Sequence, residues 1–279
     1  MEINIKAIPK KVLNSFTIKG ENSDGSLNLI SVRHPEIKTF QMSRVGKYIY
    51  DRCSGSNTVL DIIESIMNDF NNVTYEKVRQ DLFNILFLYW RIGFIEWDQN
   101  PYDYFYNDHH KDYQFKILTE DETTVILAKI KEHVEPNYDL KYDKKYALNE
   151  KRIKQSIYFN NEQYSCILEN NDLKCLICIK SEHIKKTSVD LIVLYLTNEF
   201  QDEDDTIYDF IKWSKERFSK ILSRDIFRIN CYLFENSQME GVLKKLGFEK
   251  IGELKDSIIL NEEIMSLIIK SLKFEPTTP

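Results

Sequence analysis

Two hydrophobic rhythms follow one another along the chain. In its first part, short alternating runs give way to helical stripes. SFTIK (15–19) and LNLISV (27–32) alternate apolar and polar positions on either side of the turn-like GENSDGS and predict two strands; IKTFQM (37–42) predicts a third. SRVGKYIYDRC reads as a helix opening on Ser43 as N-cap. SGSNTVLDIIESIMNDF carries a turn and then a helix with Leu60, Ile63 and Met67 on one face. TYEKVRQDLFNILFLYWRIGF, opening at Thr74, has the clearest stripe: Val78, Leu82, Ile85 and Leu86. Gly93 stands where that helix takes its C′ glycine, and FIEW follows as a strand.

The pattern then lapses. DQNPYDYFYNDHHKDY is polar and aromatic without a period and predicts a linker over 99–112. Beyond it, strands and helices alternate. YQFKILT is a strand and EDETTVILAKIKEHV a helix with Thr119 as N-cap and acids in its first turn. EQYSCILE, LKCLICIK and VDLIVLYLT are three further strands. An acidic turn, NEFQDEDDT, leads into the helix TIYDFIKWSKERFSKIL, with Asp204 or Asp205 as the expected cap. DIFRINCYLF, the helix SQMEGVLKKLGF and a strand pair around EKIGELKDSIIL complete the order βα(ββ)βαβαβ.

A length of 279 residues allows one large domain or two ordinary ones, and the change of pattern favours two. A net charge of −6 argues against a nucleic-acid partner, which needs a basic face. The long helix repeats the point, since Glu76 and Asp81 offset Lys77 and Arg79. No apolar run approaches the roughly 18 residues of a membrane span, and MEINIKAIPKK lacks the apolar core of a signal peptide. The expectation is a cytoplasmic protein without membrane partners. Five scattered cysteines do not make a disulfide framework. Cys175 and Cys178 match CxxC only in spacing, inside an apolar strand and without a second ligand pair, so no metal site is expected. The five histidines mark no triad.

The strand pair, the Gly46 helix, the CSGSNTV turn (53–59), Asp81 and the closing RIGFI together resemble the PqqD-like domain, or RiPP recognition element, from Pro9 to Trp97. The resemblance implies a winged-helix domain over 1–98 that grips the leader segment of a ribosomal precursor peptide as an added strand. On this chain the edge would be Lys38, Thr39, Phe40, Gln41 and Met42, faced by Val78, Leu82 and Ile85.

The later element order, with ENSQMEGVLKKLGFEKIG near its end, resembles the GNAT-type N-acetyltransferase fold from about Tyr113 to Leu260, which implies a domain over 113–279. The resemblance implies a mixed α/β sheet that takes acetyl-CoA or another acyl-CoA and passes the acyl group to an amine. It places a polar cofactor contact at Asn236 and a strand-like cofactor contact along the backbone of Leu194, Leu196 and Thr197. Tyr195 and Glu199 are candidate acid and base by position alone. Two departures stand out: the glycine-rich phosphate segment is replaced by NEFQDEDDT, and the usual acid tyrosine by Leu243.

The expected class is therefore α+β / α/β, a winged-helix domain joined to a GNAT-like one. The expected activity is N-acylation of a ribosomal peptide recruited through its leader. The alternative is a non-catalytic partner that delivers the precursor to other maturation enzymes.

Overall fold

The computed structural model describes residues 4–37, 39–132, 149–181, 187–234, 237, 239–260 and 263–275. It divides into two compact units, Met1–Phe105 and Tyr106–Pro279.

The first unit runs β1 (Pro9–Lys11), β2 (Phe16–Glu21), β3 (Leu27–Ser31), β4 (Phe40–Met42), α1 (Arg44–Arg52), α2 (Val59–Asp69), α3 (Tyr75–Arg91) and β5 (Ile95–Trp97). The strands form a sheet of order β2-β3-β4 and a separate antiparallel pair, β1 with β5. Local chemistry sets the helix ends. Ser43 Oγ accepts from the Gly46 N–H at 3.0 Å, as the cap reading expected. Thr58 and Asp61 form a reciprocal capping box at α2. Thr74 precedes α3 without a side-chain cap bond, and Gly93 (φ +75°) ends it in the left-handed region. The buried face of α2 is Val59, Ile62, Ile63 and Ile66, rotated from the expected Leu60–Ile63–Met67 stripe because a run of neighbouring apolar residues admits both registers. Gly46 lets α1 approach α3 closely: a Cβ there would lie 2.6 Å from Tyr89 Oη.

The second unit follows α4 (Asp103–Tyr106), at the junction. It comprises β6 (Asn107–His110), β7 (Tyr113–Ile117), α5 (Glu120–Glu132), α6 (Glu150–Tyr158), β8 (Glu162–Glu169), β9 (Asp172–Lys180), β10 (Ser188–Leu196), α7 (Asp204–Leu222), β11 (Arg228–Phe234), α8 (Met239–Lys245), β12 (Glu249–Leu260) and β13 (Glu263–Lys273). Its strands make one eight-stranded mixed sheet, β12-β13-β11-β10-β9-β8-β7-β6. Among the described residues β10 and β11 are parallel neighbours and the other pairs antiparallel.

Three local expectations change. The segment 99–112, read as a linker, carries α4 and the edge strand β6, because His110 and Asn107 pair with Tyr113 and Lys116 across a tight turn. A helix not anticipated, α6, precedes β8; Asn149 caps it and only Ile153 and Ile157 are buried. EKIGELKDSIIL is a single strand, and its partner is the following 263–273.

The sheet is covered on both faces. On one, Ile126, Leu127 and Ile130 of α5 and Ile153 and Ile157 of α6 pack against Tyr164, Cys166, Leu176, Cys178, Val193 and Tyr195. On the other, α7 rests on β7 and β8, where the Phe210 ring lies tilted against Phe115 (centroids 5.1 Å apart) and Gln163 Nε2 donates to Ser214 O and Oγ, both at 2.8 Å. Cys175 and Cys178, three apart on β9, point to opposite faces, so their CxxC spacing does not converge on one ion.

Candidate functional site

The parallel pair at the centre of the large sheet opens. β10 and β11 pair over four rungs, from Ser188↔Arg228 to Leu191↔Cys231. Both strands continue, to Leu196 and Phe234, but among the described residues the pairing does not. The opening begins where β10 carries a bulge against β9, between Leu191 and Val193. An extra residue on one strand bends it and raises its twist, which turns β10 out of register with β11.

The backbone facing this opening follows from alternation. The Thr197 N–H donates to Lys174 O (3.0 Å), so it is turned toward β9. Backbone groups alternate sides along a strand, which directs those of Leu194 and Leu196 toward the opening. The side chains of Val193, Leu194, Tyr195 and Leu196 are all buried in the two flanking cores. The edge that β10 turns toward the opening is thus main chain.

At the closed end of the opening a polar row crosses the sheet. Glu162 (β8), Lys180 (β9), Asp190 (β10), Asn230 (β11) and Ser271 (β13) are successive cross-strand partners and share the α5/α6 face. Glu162 is buried and held by Arg152 of α6 through two short contacts, Nη1 to Oε1 at 2.6 Å and to Oε2 at 2.7 Å. The Tyr164 hydroxyl donates to Glu162 Oε2 at 3.2 Å, and burial pushes that phenol well above its ordinary pKa, so it stays protonated. Farther along, Asn230 Nδ2 lies 3.5 Å from Asp190 Oδ1, and Ser271 Oγ is buried without a hydrogen-bond partner among the described residues. Asp190 is 7% exposed, a carboxylate at the foot of the opening beside the Lys180 register position.

At the open end lies the acidic turn. Asn198–Phe200 forms one 3₁₀ turn, and Glu203, with no side-chain cap bond, precedes α7. Asp204 and Asp205, expected as caps, sit inside the first turn of the helix, where its dipole favours negative charge. Lys174 Nζ lies 3.5 Å from Glu199 and 3.1 Å from Glu169; Lys245 Nζ lies 3.0 Å from Asp202. Glu203 accepts from Thr206 Oγ1 at 3.4 Å, and Asp204 Oδ1 is buried without a partner among the described residues.

The turn is poorly suited to an anionic ligand. No position from Thr197 to Thr206 is glycine, so no bare main-chain cradle is offered. The five carboxylates exceed the two lysines that pair with members of the turn. Each like-charge contact near 4 Å opposes binding by about 4 kcal/mol at an effective dielectric of ~20. The helix N-terminus returns only ~0.3–1 kcal/mol.

The expected residues are therefore dispersed. Leu194 and Leu196 face the opening with their backbones, while Thr197 has its N–H committed to β9. Asn236 lies outside the described residues. Tyr195 is packed in the α5/α6 core and its phenol is raised by burial; Glu199 is 84% exposed beside Lys174. Leu243 is buried in α8. In the first unit, Lys38 lies outside the described residues, Thr39 and Gln41 are exposed, Phe40 is half-buried and Met42 is buried. Val78 and Leu82 belong to the core, because α3 turns that stripe inward; of the three facing positions only Ile85 is half-buried.

Sequence reading missed Asp190, Asn230 and Ser271. The one available signal was a charged residue inside the apolar run VDLIVLYL; no local pattern announces that it meets an amide from a strand 40 positions away.

No family model matches the chain, and no curated protein does. Among solved structures it is similar to ribosomal-protein-S5-alanine acetyltransferase from Vibrio fischeri, with 16% identity over 62% of this chain and 99% of that one (TM-score 0.46). It is similar also to a probable acetyltransferase from Staphylococcus epidermidis, with 16% identity over 58% of this chain and 99% of that one (TM-score 0.47). Spermidine N-acetyltransferase from Vibrio cholerae shows 14% identity over 59% and 95% (TM-score 0.43).

Proposed function

We propose that the protein is a GNAT-type N-acyltransferase acting on a ribosomally made peptide, with the second unit transferring the acyl group and the first recruiting the leader. The observation that carries the transferase reading is the four-rung β10/β11 pair that opens beyond its bulge. An extended donor arm with amide groups pairs along Leu194 and Leu196, which brings its acyl end toward the closed end and Asp190. The peptide amine attacks the thioester carbonyl; the C–N bond forms, the C–S bond breaks, Asp190 takes the amine proton, and the thiolate is protonated from water.

The leader reading rests on β4, an edge strand among the described residues, and on its Phe40, whose ring sits 5.9 Å from Tyr89 and 5.6 Å from Phe94. An added strand along Thr39–Met42 gains backbone bonds and places side chains beside Ile85. Joining the two activities raises the local concentration of the core peptide at the transfer site.

Backbone hydrogen exchange tests the transferase reading. A saturating thioester donor protects the Leu194 and Leu196 amides. Unchanged exchange at both, with every donor tried, favours the alternative of a leader-binding partner without chemistry, which the acidic turn and Leu243 would suit.

A further inference from the structure

We infer that the acceptor of this protein bears a carboxylate close to the amine it presents, and that Arg228 and Lys273 hold that carboxylate. The inference rests on the transferase reading above and narrows its acceptor. Three strands set out the site as two rungs on one face of the large sheet. Ser188 of β10, Arg228 of β11 and Lys273 of β13 are cross-strand partners in the first rung. Asp190, Asn230 and Ser271, two positions along each strand and therefore on the same face, form the second.

Two features of this face call for an anion. Arg228 and Lys273 are both exposed and stand directly opposite one another, an arrangement in which like charges destabilise a sheet. Among the described residues neither makes an ion pair. The second feature is Ser271, which is 2% exposed and whose Oγ has no hydrogen-bond partner among the described residues. An unmatched buried hydroxyl costs stability that a ligand oxygen restores.

Nearby carboxylates limit the charge of that ligand. Asp190 occupies a corner of the two rungs, and Glu249 of β12 is the register partner of Ser271. A dianionic phosphate would be repelled by both. A zwitterion satisfies the face at each end, its ammonium toward Asp190 and its carboxylate toward Arg228 and Lys273. The rungs are two residues apart, roughly 7 Å along the strands. That span suits a peptide amine whose neighbouring residue is Asp or Glu.

The test titrates two N-acetylated, C-amidated peptides, Gly-Lys-Glu-Gly and Gly-Lys-Gln-Gly, into the full-length protein by calorimetry. At about 0.05 M salt the Glu peptide is expected to bind about fivefold tighter than the Gln peptide, an advantage that shrinks at about 0.5 M as the charges are screened. In the variant Arg228→Gln with Lys273→Gln the advantage is expected to vanish at low salt too. The swap Arg228→Lys with Lys273→Arg keeps both charges and should retain it. Both side chains are exposed, so a thermal melt of the Gln variant should match or exceed the wild type, the facing charges being gone. Equal affinity for the two peptides, failure of both to bind at millimolar concentration, or an advantage that survives in the Gln variant overturns the inference. Donor protection of the Leu194 and Leu196 amides decides the transferase reading separately, so either can fail alone.

Discussion

Asp190 on β10 and Asn230 on β11 are direct partners in the short stretch where these strands pair, and Asn230 Nδ2 lies 3.5 Å from Asp190 Oδ1. The Asn230 amide thus faces the Asp190 carboxylate across the strand pair. A few residues beyond this pair, the two strands are no longer neighbours through hydrogen bonds. The chemistry is therefore expected at Asp190.

Replacing Asp190 by Asn keeps the shape and removes the base. Turnover should fall by about 10²–10⁴-fold, with donor affinity within a factor of two or three of the original. Steady-state kinetics together with donor titration check this. Wild-type turnover from a folded Asp190→Asn protein would remove Asp190 from the mechanism.

Arg152 and Glu162 form a buried pair beneath the α6 end of the same row. Desolvation disfavours the guanidinium, but Tyr164 and Glu162 more than offset it, and the net shift of Arg152 is upward. Arg152→Met leaves Glu162 buried without its cation and should destabilise the second unit by about 3–5 kcal/mol. Arg152→Met combined with Glu162→Gln should recover a good part of that loss. Urea unfolding of the single and double variants measures the coupling.

Gly46→Ala drives a methyl onto the Tyr89 hydroxyl, which lies 2.6 Å from the new Cβ position. We expect a loss of about 1–3 kcal/mol in the first unit. Tyr89→Phe in the same background removes the colliding oxygen and should restore part of it. A denaturant double-mutant cycle gives the answer, and additivity would place the clash elsewhere.

Alkali should loosen the first unit. Burial pushes the Cys53 thiol from an ordinary 9 up to about 12. The thiol is raised in the fold, so the unfolded chain releases its proton first. The stabilising contribution is whole below pH 9 and declines as pH rises from 9 toward 12. Cys53→Ala should flatten that part of the stability–pH curve, measured by denaturant midpoints. A slope unchanged by the substitution would assign it to other groups.

For the leader, Ile85→Asp should reduce affinity for a precursor peptide at least tenfold without unfolding the unit, since Ile85 is only half-buried. Leu82→Asp, at a core position, should unfold it instead. Fluorescence anisotropy of a labelled leader, beside a thermal melt, separates the two outcomes.

Local signals carried well from sequence to structure. Ser43 caps α1, Gly93 ends α3, and the three apolar runs of 162–196 are strands, because caps, left-handed glycines and alternation act over a few residues. The site was less legible. Tyr195 and Glu199 were singled out by position along the chain, yet one is packed in a core and the other faces water. The residues that meet at the closed end of the opening come from β10 and β11, and that meeting depends on a parallel register with no local signature. α6 was overlooked because it buries only Ile153 and Ile157 of nine residues, too thin a stripe to stand out among charges.

The most direct measurement is the mass of a precursor peptide incubated with the protein and an acetyl thioester donor. The account predicts a gain of one acetyl group on an amine of the peptide, lost with Asp190→Asn. An unmodified peptide, under conditions where donor and leader are both shown to bind, would contradict it.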